Sequence, residues 1–221
     1  MNYFTHGREF LDRPYFVAGT ALPDWLNVVN RRVRLRRKKV EPFLQSIDPI
    51  QQEIAAGVIQ HHTDDAWFHR TRAFAELSLQ FAVLIRDQLP NDDGLRPSFL
   101  GHILVELLLD DCLAQRDPKQ LATYYACLEN IEPPRVADFV WRVTGRDAES
   151  FAVFIPRFLQ ARFLYDYAED AKLLYRLNQV MQRVGLAQIP DAMAGLLPKL
   201  RSAVQHRATE LLTPTSDVPC R

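Results

Sequence analysis

At 221 residues, with 48% apolar and 24% charged side chains, the chain has enough apolar surface for a sizeable core, which excludes disorder as a whole-chain state. Its 27 basic residues balance 27 acidic ones, so net charge gives no general attraction to nucleic acid or an anionic membrane. Cys112, Cys127 and Cys220 are an odd, widely spaced set, which excludes a disulfide framework or a cysteine-rich zinc site and suggests a reducing compartment. The first residues lack the pattern of a secretory signal, and no apolar run approaches the ~20 residues of a membrane span. The expectation is a cytoplasmic protein without a transmembrane segment.

In chain order, a short opening segment, Asn2 to Asp12, carries His6 and ends at Pro14. Residues 15–26, YFVAGTALPDWL, contain a small-residue stretch that lets backbone approach backbone. Asp24, directly after Pro23, reads either as a helix N-cap or as a functional acid. Residues 31–39, RRVRLRRKK, carry seven basic side chains in nine positions: Arg31, Arg32, Arg34, Arg36, Arg37, Lys38 and Lys39. On a helix they would be basic around most of the circumference, so the run reads as a solvated surface or connection, or as a site for a phosphate-bearing or acidic partner. No aromatic residue is interleaved, which argues against stacking on single-stranded nucleic acid.

Asp48-Pro49 has the form of an N-cap with proline at the first helical position, opening a helix through IQQEIAAGVIQHHTDDAWFHRTR. His61, Asp65 and His69 recur there at steps of four and should share a face. Ala73 to Leu89 reads as a further amphipathic helix, and Asn91 to Gly94 with Arg96-Pro97 as a loop. Ser98 is the expected cap of a helix to about Arg116, whose centre is the run LGHILVELLLDDCL from Leu100 to Leu113. In it His102, Glu106 and Asp110 form a polar stripe, with Asp111 read as a surface charge on the neighbouring face. Burying such a stripe costs several kcal/mol, roughly, unless its members are paired or bind a metal.

Asp117-Pro118 starts another helix, Pro133-Pro134 closes it, and VADFVWRVT stops near Gly145. A long helical pattern runs from Asp147 to about Val184 with a kink at Pro156. A last helix spans roughly Asp191 to Leu212 before a flexible tail, 214–221. No segment alternates with period two for long enough to be a strand. The class is all-α, a single domain over residues 1–213 with about eight to ten helices. Residues 1–116 would form the half carrying the site, and 117–213, rich in Phe, Tyr and Leu, its helical cover.

Two helices thus each offer a row of metal-competent side chains. Spacing of i, i+4 lets two side chains on one rigid element converge on one ion. Mixed nitrogen and carboxylate ligands suit Zn, Mn or Fe better than calcium. Five of the six histidines fall within the first 102 residues. The bland alternative is an internal network of ion pairs and hydrogen bonds. Cys112 and Cys127 read as buried thiols, and neither GxSxG, GxxxxGK[ST] nor GxGxxG occurs. A metal-activated water is therefore the expected nucleophile, with Asp65 or Glu106 accepting its proton. The expectation is a divalent-metal-dependent hydrolase whose two polar rows face each other. The alternative is a non-catalytic helical protein that binds an acidic partner through residues 31–39.

Several of these motifs resemble those of a known family. Met1-Asn2-Tyr3-Phe4-Thr5-His6, the stretch Gly19 to Asp24, Gly57-Val58 followed by His61 and Asp65, and the acidic helix from Glu106 to Asp110 are together similar to the bacterial acyl-carrier-protein phosphodiesterases. That family in turn resembles the HD-type metal phosphohydrolases. The run Ala18 to Asp24 and the His102/Glu106 spacing are also similar to helical zinc-dependent phospholipase C-like proteins. The adjacent His-Asp dyad of HD enzymes is absent, because Thr63 separates His61-His62 from Asp64-Asp65. The resemblance covers residues 1–115. It implies an HD-like or phospholipase C-like helical bundle that hydrolyses phosphodiester or phosphomonoester bonds. It also implies a metal held or oriented by His6, Asp24, His61, Asp65 and Asp110, completed by His102 and Glu106. Arg31, Arg32, Arg34, Arg36, Arg37 and His69 would face a phosphate-bearing substrate or an acidic carrier protein.

Overall fold

The computed structural model describes residues 1–89, 96–146 and 149–214, and all regular structure among them is helical. Asn91 to Gly94, Asp147 and Cys220 lie outside the described residues. No helix among the described residues is long and apolar enough to cross a membrane. The helices gather into two compact units, each drawing on both the first 116 residues and the remainder: residues 2–65 with 117–163, and residues 1 and 66–116 with the chain from 164 onward.

The unit formed by residues 2–65 and 117–163 holds α1 (Tyr3–Gly7), α2 (Pro14–Val29), α3 (Arg37–Val40), most of α4 (Pro49–Phe68), α7 (Pro118–Leu128), α8 (Pro133–Thr144) and α9 (Glu149–Ala161). Local chemistry sets several of the ends. Asp48 Oδ1 accepts the Ile50 amide at 3.0 Å in front of Pro49, and Asp117 Oδ1 accepts the Gln120 amide at 3.1 Å in front of Pro118. Gly145, at φ 63°, ends α8 in the left-handed conformation that glycine adopts without steric cost. Phe4, Leu22, Trp25, Tyr124, Tyr125 and Phe139 are among its fully buried side chains. Phe4 meets Tyr124 edge to face with centroids 5.8 Å apart.

Of the two readings of Asp24, the helix N-cap is excluded, since α2 runs through Pro23 and Asp24 to Val29. The small-residue stretch does let backbones approach. A Cβ at Gly19 would strike the carbonyl of Ile54, and one at Gly57 would strike that of Phe16 and come within 2.9 Å of the Thr20 amide. Two glycines thus let α2 and α4 touch backbone to backbone, one turn before His61.

The other unit contains α5 (Arg72–Gln88), α6 (Pro97–Arg116), α10 (Asp170–Val184) and α11 (Leu197–Leu211). α5 packs along α6, where a Cβ at Gly101 would approach the Ser78 carbonyl to 2.5 Å, and α11 lies against both. Asp111 is not a surface charge: it is 2% exposed and paired with Arg201 of α11, which also donates to Asp170 at 2.6 Å and the Tyr167 carbonyl at 3.0 Å. The expected long helix to Val184 is broken. α9 ends at Ala161, Arg162 takes a left-handed φ of 43°, and a 3-10 turn over Phe163–Ala168 precedes α10. The start expected for the last helix, Asp191 to Leu196, is likewise a 3-10 turn.

The glycine contact yields a prediction. Gly57→Ala should lower stability by about 1–3 kcal/mol, because the added methyl meets backbone that cannot swing aside. Urea denaturation of the variant beside the parent chain measures it, and an unchanged midpoint would contradict the close approach.

Candidate metal centre

His6 on α1 and His61 and Asp65 on α4 place one nitrogen or oxygen each within 4.8 Å of one another. His6 and His61 are buried, with side chains 0% and 5% exposed, whereas Asp65 keeps 32% of its side chain open. The rings of His6 and His61 stack, centroids 4.2 Å apart and planes 28° from parallel. Their Nε2 atoms address the two oxygens of Asp65: His6 Nε2 is 3.3 Å from Oδ1, and His61 Nε2 is 3.3 Å from Oδ2.

The opposite edge of each ring is already committed. His6 Nδ1 lies 3.1 Å from Asp64 Oδ2, and His61 Nδ1 lies 2.9 Å from the Thr20 carbonyl. Both of those oxygens can only accept, so both Nδ1 atoms carry the hydrogen. Asp64 is itself fixed by Gln60, whose Nε2 donates to Oδ1 at 2.8 Å. In the neutral tautomers this leaves two Nε2 lone pairs facing a carboxylate. His6 Nε2 makes no hydrogen bond of acceptable geometry among the described residues, although it is fully buried.

A divalent ion fits this arrangement. Two imidazole nitrogens and a carboxylate are a common donor set for zinc, manganese or iron, and the donation of Nδ1 to a carboxylate or carbonyl is how metal-binding histidines are usually oriented. In a tetrahedral site with bonds of about 2.0 to 2.1 Å, neighbouring ligand atoms stand about 3.3 to 3.4 Å apart; each Nε2 is 3.3 Å from one oxygen of Asp65, and the three ligand atoms lie within 4.8 Å of one another. Without a cation the geometry has to be held by protons. Burial then works against charge on His6, but Asp64 and Asp65 more than offset it and raise its pKa to about 9. Burial likewise pushes Asp65 up, and the two imidazoles pull it well below the usual carboxylate range.

The other polar row does not join this group. α4 ends at Phe68, so His69 falls in the turn beyond it and meets α6 instead. His69 Nε2 is 2.8 Å, and His102 Nε2 3.3 Å, from Glu106 Oε1, forming a second cluster wholly within the unit of α5 and α6. Burial raises the Glu106 pKa, but the amino terminus, His102 and His69 outweigh it and bring it down to about 2. Of the residues expected at the site, the structure brings together His6, His61 and Asp65 in one group and His69, His102 and Glu106 in another. Asp24, half-buried on α2, and Asp110, 1% exposed on α6, fall in neither.

The basic run is only partly helical, in keeping with its reading as a solvated surface segment or connection. Residues ahead of Arg37 are irregular. Val33 and Leu35 turn inward at 5% and 3% exposure, while Arg31, Arg32, Arg34, Arg36 and Arg37 face solvent. This segment is tied to α4 beside the metal-competent residues. His62 Nε2 donates to the Leu35 carbonyl at 2.7 Å, and Arg37 Nη1 reaches Thr63 Oγ1 at 3.5 Å. His62 is thereby spent on the backbone; burial lowers its pKa and favours the neutral ring.

Two contributors escaped the sequence reading. Asp64 sits next to Asp65 but about 100 degrees round the helix, so a four-residue pattern passes over it. The Thr20 carbonyl is backbone and leaves no residue signature; the paired glycines were the only hint of it. Compared with protein-family models, curated proteins and solved structures, the chain matches none.

The His6 geometry carries a pH prediction for chelator-treated protein. A pKa raised from 6.5 to about 9 contributes stability that is complete below 6.5 and lost as pH rises through 9. The loss should reach up to about 3 kcal/mol in urea unfolding. His6→Gln should flatten that slope, and an unchanged slope in the variant would remove His6 as its source.

Proposed function

We propose that the chain is a divalent-metal-dependent hydrolase of phosphoric esters, with His6, His61 and Asp65 as the metal ligands. The observation that carries this is the pair of buried imidazoles whose Nδ1 atoms are committed and whose Nε2 atoms both face Asp65. A bound divalent cation supplies a water of lowered pKa and neutralises charge on phosphoryl oxygens. Asp64 and the Thr20 carbonyl hold the two rings in the tautomer that turns a lone pair inward. Asp65 is the member that reaches solvent, and with an ion bound its carboxylate would serve as the acceptor for a proton from a water held there.

The phosphoric ester class rests on the arginine segment. Arg34, Arg36 and Arg37 are exposed on a segment tied to α4 through the Leu35 carbonyl, which accepts from His62, and through Arg37, which reaches Thr63 and pairs with Glu41. Guanidinium groups recognise phosphate through paired hydrogen bonds, and the same groups suit a phosphate presented on an acidic carrier protein. The resemblance to the acyl-carrier-protein phosphodiesterases implies the same substrate class.

Metal analysis of protein purified without chelator, together with hydrolysis of bis(p-nitrophenyl) phosphate, tests this reading. His61→Ala and Asp65→Asn should each remove the metal equivalent and abolish hydrolysis. Asp64→Asn should weaken metal affinity roughly 10- to 100-fold while leaving a site. Arg36→Glu should raise KM for a phosphate-bearing substrate and spare metal content. Metal content and turnover unaffected by His61→Ala and Asp65→Asn would overturn it.

A further inference from the structure

We infer that His69, His102 and Glu106 form a second transition-metal site, built entirely within the unit of α5 and α6 and taking a borderline divalent ion such as zinc. The inference does not rest on the hydrolase reading, since none of these residues belongs to the first cluster.

Two ligands come from one rigid helix. His102 and Glu106 are four residues apart on α6, with His102 Nε2 3.3 Å from Glu106 Oε1. That separation is the edge of a tetrahedron with bonds of about 2.0 Å. The third comes from the turn after α4, where His69 Nε2 reaches the same oxygen at 2.8 Å. Admitting an ion lengthens that contact by roughly 0.5 Å, within the play of a half-exposed side chain. The three ligand atoms already lie within 4.8 Å of one another.

Aromatic packing holds the two rings in place. Phe74 of α5 sits 4.8 Å from the centroid of His69 and 4.8 Å from that of His102, edge-on to the latter, and the two imidazoles are 4.9 Å apart. Phe68 supports His69 from the helix end at 5.5 Å. Phe74 thus leans both Nε2 atoms toward one carboxylate oxygen without supplying a polar group of its own.

Access differs from that of the first cluster. His69 and His102 are 33% and 44% exposed, so an ion can come and go from solvent. Glu106 is 17% exposed. The Met1 amine, 3.4 Å from Glu106 Oε1, is the group that has to move aside. Two nitrogens in three donors disfavour magnesium and calcium. Because His69 follows Phe68 directly, an ion held here clips the end of α4 to the middle of α6, and its binding should raise thermal stability.

Titration of chelator-treated protein with cobalt(II), read by calorimetry and by visible absorption, tests the site, with circular dichroism melting to show that each variant folds. The parent chain should bind two equivalents. His69→Ala with His102→Ala should bind one, and lose part of the cobalt-induced rise in melting temperature. His61→Ala with Asp65→Asn should also retain one equivalent, which disappears when all four changes are combined. If a folded His69→Ala/His102→Ala variant binds as many equivalents as the parent, the second site is overturned. If His61→Ala/Asp65→Asn leaves the stoichiometry unchanged while His102→Ala removes the single equivalent bound, the hydrolase centre fails and this site stands.

Discussion

A carboxylate with a buried imidazole against each of its oxygens is the constraint that organises the unit of residues 2–65 and 117–163. Taking His6, His61 and Asp65 largely out of water costs several kcal/mol, roughly, unless each polar atom is answered. The surrounding backbone supplies the answers. α1 delivers His6, α2 offers the Thr20 carbonyl, and α4 brings His61, Asp65, Asp64 and the supporting Gln60. The Gly19 and Gly57 contact is what allows α2 near enough to α4 for a main-chain oxygen to hold a ring nitrogen. The two Nε2 atoms converge on the oxygens of Asp65, so the three side chains form one group that could hold a cation.

The same chain buries another carboxylate against a cationic side chain. Asp111 is as deeply buried as His61, yet Arg201 and Gln115 surround it with donors, and Arg201 goes on to Asp170 and the Tyr167 carbonyl. A guanidinium distributes five donors over fixed directions and neutralises charge as it does so. That arrangement is closed. The two histidine clusters use rings with only two nitrogens each, and in the first both Nδ1 atoms are spent on acceptors. The difference between a structural ion pair and a metal-competent group is therefore one of remaining lone pairs, not of burial.

Much of the fold was legible because helix ends are local events. Asp48-Pro49, Asp117-Pro118 and Gly145 mark boundaries through short-range hydrogen bonds and backbone freedom, and the absence of period-two patterning pointed to the all-α class. The residues of the clusters were legible as types at helical spacing, but their grouping was not. His69 continues the His61/Asp65 period in sequence, yet no glycine or proline announces that α4 stops at Phe68, and past that point the period no longer describes a face. Asp111 looked like a surface charge because its partner lies ninety residues away on α11. Asp24 looked like a cap because proline usually opens helices, whereas α2 carries Pro23 in its interior.

We propose above that the Nε2 atoms of His6 and His61 and the carboxylate of Asp65 surround an ion. Crystals grown with zinc and measured across the zinc absorption edge address it most directly. An anomalous peak is expected about 2.0 to 2.2 Å from both nitrogens and an Asp65 oxygen, with His6 Nδ1 still on Asp64 and His61 Nδ1 still on the Thr20 carbonyl. No peak there, with both rings in unchanged positions and hydrogen-bonded to Asp65, would contradict it.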